Sequence, residues 1–123
     1  MPPSVLVVED EPINQERLVE TLAEEGYQVV AASSGGEAWE RLQGADAGFD
    51  VILLDRMMPD MDGIEILRRL KAREGWEDVP VIMQTAMTAD GDVAEGLRAG
   101  AFYYLTKPFS ADTLLAIVGA ALD

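Results

Sequence analysis

The chain has 123 residues, 49% of them apolar, and no cysteine. That is enough for one ordinary domain, residues 1–123, with a core of its own, and it excludes disulfide or thiol chemistry. A formal net charge of -14 argues against direct binding to nucleic acid or an anionic membrane, and the lack of histidine leaves any chemistry to carboxylates, hydroxyls, lysine or a metal.

Met1-Pro2-Pro3-Ser4 lacks the basic-then-apolar pattern of a signal peptide. Ser4 to Val8 (SVLVV) is a short β-branched run, read as a buried strand, and Glu9-Asp10-Glu11-Pro12 ends it. Ile13, Leu18, Leu22 and Ala23 form a helical stripe from Ile13 to Glu25, stopped at Gly26. Tyr27 to Ala32 reads as a second strand, and Ser34-Gly35-Gly36 opens a helix to about Gln43. Asp50 to Leu54 (DVILL) is a third buried strand, ending at Asp55. After a loop through Pro59 and Gly63, Ile64, Leu67 and Leu70 mark a helix to about Arg73. Val79 to Gln84 is a fourth strand, followed by Thr85. The helix expected from about Asp90 to Ala99 is weakened by Gly91 and Gly96. Phe102 to Leu105 is a fifth strand. Ser110 caps a last helix to about Leu122, with Asp112 in its first turn. The longest apolar run, Leu114 to Leu122, is about half a membrane span.

Strand and helix thus alternate throughout, and apolar strands with intervening helices predict an α/β fold with a parallel sheet covered on both faces. In such a sheet, ligands bind beyond the carboxyl ends of the strands. This sequence places Glu9-Asp10, Asp55, Thr85 and Thr106-Lys107-Pro108 at those ends. One acid past a strand is ordinarily a turn former or a cap; acids after two strands, with Thr and Lys-Pro after two others, point to a site. Carboxylates about 4 Å apart repel by roughly 4 kcal/mol each pair at an effective dielectric of about 20. A hard divalent cation offsets this, and Mg²⁺ binds through few protein oxygens while keeping sites for phosphate. A carboxylate so placed is a nucleophile toward phosphorus and needs no base, being already ionised.

The order VLVVED, DVILLDRMMPDMDG, TA, YLTKPF resembles the receiver domain of two-component response regulators, over essentially the whole chain. The resemblance implies a flavodoxin-like, doubly wound sheet of five strands in the order 2-1-3-4-5 with five helices. It implies Asp55 as phosphoacceptor, and a Mg²⁺ (or Mn²⁺) site made by Glu9, Asp10, Asp55 and the Met57 carbonyl. Lys107 would contact the phosphoryl group, Thr85 would be the switch hydroxyl and Tyr104 the switch aromatic. A cis bond is expected at Lys107-Pro108. The implied partners are a histidine kinase or histidine phosphotransfer protein. An output domain or target would dock at the surface of the fourth helix, fifth strand and fifth helix. The location would be cytoplasmic.

Several residues depart from the family pattern. Arg56 stands where an apolar residue is common and is expected over the site. Met57 and Met87 stand where polar residues sometimes position an attacking water, so slow loss of the phosphoryl group is expected. Gln84 replaces an aliphatic residue and is expected to hydrogen-bond near the site. Phe102 and Tyr103 make the fifth strand unusually aromatic. Two other readings are a pseudo-receiver that only binds partners, and a Mg²⁺-dependent phosphohydrolase. The second would need an acid two residues past the nucleophile, where this chain has Met57.

Overall fold

A computed structural model of the protein describes residues 2–44, 48–86 and 90–123. Its elements are β1 Ser4–Val8, α1 Pro12–Glu24, β2 Gln28–Ala32, α2 Gly35–Gly44, β3 Val51–Asp55, α3 Gly63–Lys71, β4 Val81–Thr85, α4 Asp90–Arg98, β5 Tyr103–Thr106 and α5 Ala111–Leu122. Met87 lies outside the described residues. The five strands form one parallel sheet in the order β2-β1-β3-β4-β5, as the resemblance implied.

Alternation along the strands sends side chains to two apolar layers. Val5, Val7, Val51, Leu53, Ile82 and Leu105 face Leu18 and Leu22 of α1 and Leu114 and Val118 of α5. Leu6, Val8, Ile52, Leu54, Met83 and Tyr104 face Leu42 of α2 and Leu67 and Leu70 of α3, with Val93 of α4 packed alongside. Burial of each such aliphatic side chain is worth ~1.5–3 kcal/mol, so both layers must be covered, and the β-α-β crossovers cover them.

Element ends follow local chemistry. Pro12 stands at the start of α1, where its missing N–H is no loss. Gly26, at φ 94°, ends α1 with Gly26 N–H on Ala23 carbonyl at 3.0 Å and Tyr27 N–H on Leu22 carbonyl at 3.3 Å. β4 begins at Val81 rather than Val79, because Pro80 has no N–H to offer a neighbour. β3 includes Asp55, one residue further than the apolar run suggested.

The sheet order sets the site. From β1 the chain crosses out to β2, then returns to β3 on the other side of β1. Between the carboxyl ends of β1 and β3 lies the crevice where winding reverses. Glu9 and Asp10 follow β1 and Asp55 ends β3, so adjacent strands deliver all three acids to it.

Candidate functional site

One carboxylate oxygen from each of Glu9, Asp10 and Asp55 lies within 4.8 Å of the others. Glu9 and Asp55 are 1% and 2% exposed, whereas Asp10 is partly exposed. Lys107, following β5, reaches across: its Nζ is 2.8 Å from Glu9 Oε1 and 3.3 Å from Asp55 Oδ2. The Met57 N–H donates to Asp55 Oδ1 at 3.1 Å. Glu9 accepts from Glu11 N–H at 3.2 Å and from the Asn14 side-chain amide. The Lys107-Pro108 bond is cis, and Lys107 N–H donates to the Thr85 carbonyl at 2.7 Å.

Two buried acids side by side cannot both ionise freely. Burial, then the neighbouring Glu9, push Asp55 up to about 7 against the pull of Lys107. Burial also disfavours the Glu9 charge, but hydrogen bonds from Asp55, Lys107 and Glu11 outweigh it and hold Glu9 at about 2. Burial opposes the Lys107 charge as well, and its contacts with Glu9 and Asp55 prevail, raising its pKa.

Thr85, fully buried at the end of β4, shares this sheet edge. Tyr104 does not join the cluster: it pairs in register with Met83 and lies in the α2–α3 layer, 7% exposed. Its ring is inside the protein. Arg56, expected over the site, turns away instead, because strand alternation puts it on the face opposite Asp55. Its guanidinium donates to Asp62 Oδ1 at 3.2 Å and to Glu95 of α4. Burial opposes its charge, but Tyr104, Glu95 and Asp62 together raise its pKa. Gln84, expected to find partners, is fully buried with neither side-chain polar atom hydrogen-bonded; alternation sets it on the Ile82 face, in the apolar layer under α1 and α5.

The family model for the response regulator receiver domain matches residues 5–119. The chain belongs to this family. It is 43% identical over 112 residues to the transcriptional regulatory protein TcrA of Mycobacterium tuberculosis, covering 91% of this chain and 43% of that protein. It is 42% identical to KdpE of the same organism, over 96% of this chain and 50% of that one. The chain thus spans about half the length of these curated relatives. Among solved structures, it resembles the receiver domain of the sensor histidine kinase PA1611 from Pseudomonas aeruginosa, which has a magnesium ion coordinated in its active-site cleft. The TM-score is 0.88 at 33% identity, over 99% of this chain and 98% of that one.

This receiver domain also uses residues that sequence reasoning passed over. Glu11 caps α1, accepting from Ile13 N–H at 3.1 Å and Asn14 N–H at 2.7 Å, which aims Asn14 at Glu9. Pro12 after an acid was the available signal. Gln15 donates to the carbonyls of Glu9 and Ala32, at 2.8 and 3.1 Å, tying the ends of β1 and β2 together. Asp62 caps α3 through Ile64 N–H at 3.0 Å. Asp60 accepts from Gly35 N–H at 2.9 Å and Gly36 N–H at 2.8 Å, and these backbone donors hold its carboxyl below the usual range. Its partners lie on another loop, so no local pattern marks it. Gly63, already placed in this loop from the sequence, is obligatory: a Cβ there would lie 2.5 Å from the Asp55 carbonyl oxygen.

Proposed function

We propose that Asp55 accepts a phosphoryl group from a phosphohistidine on a partner kinase or phosphotransfer protein, with Mg²⁺ or Mn²⁺ bound at Glu9, Asp10, Asp55 and the Met57 carbonyl. The supporting observation is the meeting of three carboxylate oxygens within 4.8 Å, with Lys107 Nζ 3.3 Å from the acceptor. The residues fit a hard cation. All the side-chain donors are oxygens, and octahedral ligands about 2.1 Å from a metal stand about 3–4 Å apart, so only a small closure is needed. One ammonium meets two of the three clustered acids, leaving negative charge for the ion to offset.

The bound ion supplies charge neutralisation at a phosphoryl oxygen. The other roles belong to the chain. An Asp55 oxygen attacks phosphorus in line as the phosphorus–nitrogen bond of the donor breaks, and the imidazole leaves on the partner. Lys107 meets a second phosphoryl oxygen, while the Met57 N–H and the Thr85 hydroxyl serve the rest. No base is required once Asp55 is ionised.

The acyl phosphate then draws on Thr85 and shifts the surface of α4, β5 and α5, where an output domain or target protein binds. On this reading the domain acts once per phosphoryl group instead of turning over a substrate, in the cytoplasm, without contacting membrane or nucleic acid itself. No helix among the described residues is long and apolar enough to cross a membrane.

The test is incubation with Mg²⁺ and acetyl phosphate, followed by intact mass. Wild type gains one phosphoryl group and Asp55→Asn gains none. An unmodified wild type would leave only a binding module.

A further inference from the structure

Arg56 is the covalent neighbour of the acceptor, and the carboxylate cluster does not use it. It is 7% exposed and its backbone is gripped from both sides. Its N–H donates to the Gln84 carbonyl at 2.9 Å, and its carbonyl accepts from Gly63 N–H at 2.8 Å. Gly63 is so close that a Cβ there would lie 2.9 Å from Arg56 Cα. From this fixed root the guanidinium holds Asp62 of the β3–α3 loop and Glu95 of α4. Glu95 in turn faces Arg68 of α3, at 3.8 Å.

The next residue on α4 is Gly96. A Cβ at that position would lie 2.5 Å from Cδ2 and 2.6 Å from Cε2 of Tyr104. The helix therefore rests directly on the Tyr104 ring at the turn that Arg56 holds. Around it, Leu97, Phe102 and Tyr103 are 48%, 45% and 45% exposed, an apolar surface whose shape depends on where α4 lies.

We propose that Arg56 is a positioning residue, a clasp that through Glu95 seats α4 on the Tyr104 ring and keeps the ring inside. Loss of Glu95 leaves the buried guanidinium with Asp62 and takes away its hold on α4. The planar fork of arginine engages two acids from different elements at once, which a lysine ammonium does less well. The seating of α4 is thereby set from the residue bonded to Asp55. Only this last link, from acceptor to helix, rests on the phosphoacceptor reading; the clasp itself does not.

The test uses protein labelled with 3-fluorotyrosine, without Mg²⁺ or phosphate, so that failure of the phosphoacceptor reading would not affect it. Tyr104→Phe identifies the Tyr104 fluorine resonance, and its shift between H2O and D2O reports exposure. Wild type gives one resonance with a small solvent shift. Arg56→Leu and Glu95→Gln each add a second, solvent-exposed resonance of comparable intensity. The double variant adds no more than either single change, as expected for two ends of one contact. Glu95 is 40% exposed at its side chain, so the isosteric Glu95→Gln protein folds and decides the matter if Arg56→Leu does not. A Tyr104 resonance unchanged in folded Glu95→Gln protein, effects that simply add, or an exposed Tyr104 in wild type would each overturn the clasp.

Discussion

The Lys107 ammonium sits between two acids of opposite behaviour, 2.8 Å from Glu9 and 3.3 Å from Asp55. Glu9 is held at about 2 and Asp55 is pushed up to about 7. Because its folded value is raised, Asp55 contributes stability that is present below its unfolded value and is lost as pH rises through about 7. Glu9 does the reverse: its contribution is present above its unfolded value and is lost as pH falls through about 2. Mg²⁺ binding at the proposed site is therefore expected to release a proton at pH 6 and almost none at pH 8.5. Titration calorimetry in two buffers of different ionisation enthalpy measures this directly. Equal proton release at both pH values would contradict the assignment.

Gln84 imposes a cost that a mutation should recover. Both polar atoms of its amide are buried without a hydrogen bond, and such groups cost ~1–3 kcal/mol. Gln84→Met keeps length and flexibility while removing the polar atoms. It is expected to raise unfolding free energy by ~1–3 kcal/mol in urea titrations, and a loss of stability would show that the amide is satisfied in solution.

Two glycines should respond in opposite directions. Gly63→Ala drives a methyl to within 2.5 Å of the Asp55 carbonyl oxygen and 2.9 Å of Arg56 Cα, both backbone atoms. A cost of ~1–3 kcal/mol or more follows, with slower phosphorylation of a displaced Asp55. Gly119→Ala in α5 meets nothing within 4 Å and gains ~0.5–1 kcal/mol from helix propensity. Denaturation of the two proteins side by side checks both signs.

Met57 is 57% exposed, and its backbone N–H is bonded to the acceptor carboxylate. Its thioether is too weak an acceptor to orient water well for attack on the acyl phosphate. Met57→Asn is expected to shorten the phosphoryl half-life by about tenfold, the equivalent of ~1.4 kcal/mol of barrier. Intact mass against time after removal of the phosphodonor follows the decay.

Much of this was legible in one dimension. Apolar runs gave the strands, because a strand buried on both faces carries its signature in consecutive residues. The acids after β1 and β3 were conspicuous because each stands directly after such a run. Arg56 and Gln84 were recognisable as departures but were placed wrongly. For Arg56, the destination depended on Glu95, 39 residues away. For Gln84, the alternation that hides it in an apolar layer requires the strand register, which composition does not carry. Asp60 was missed for the same reason as Arg56, its partners being 24 and 25 residues distant.

That Asp60 contact also limits how the rim of the crevice deforms. Its carboxylate grips the first two amides of α2 with one oxygen each, stitching the β2–α2 turn to the β3–α3 turn. A visitor prying these turns apart must break both bonds and uncap a helix. On the opposite bank, α1 and the Pro108 turn line a cleft of about 190 Å³ beside Lys107, which no such side-chain stitch spans among the described residues.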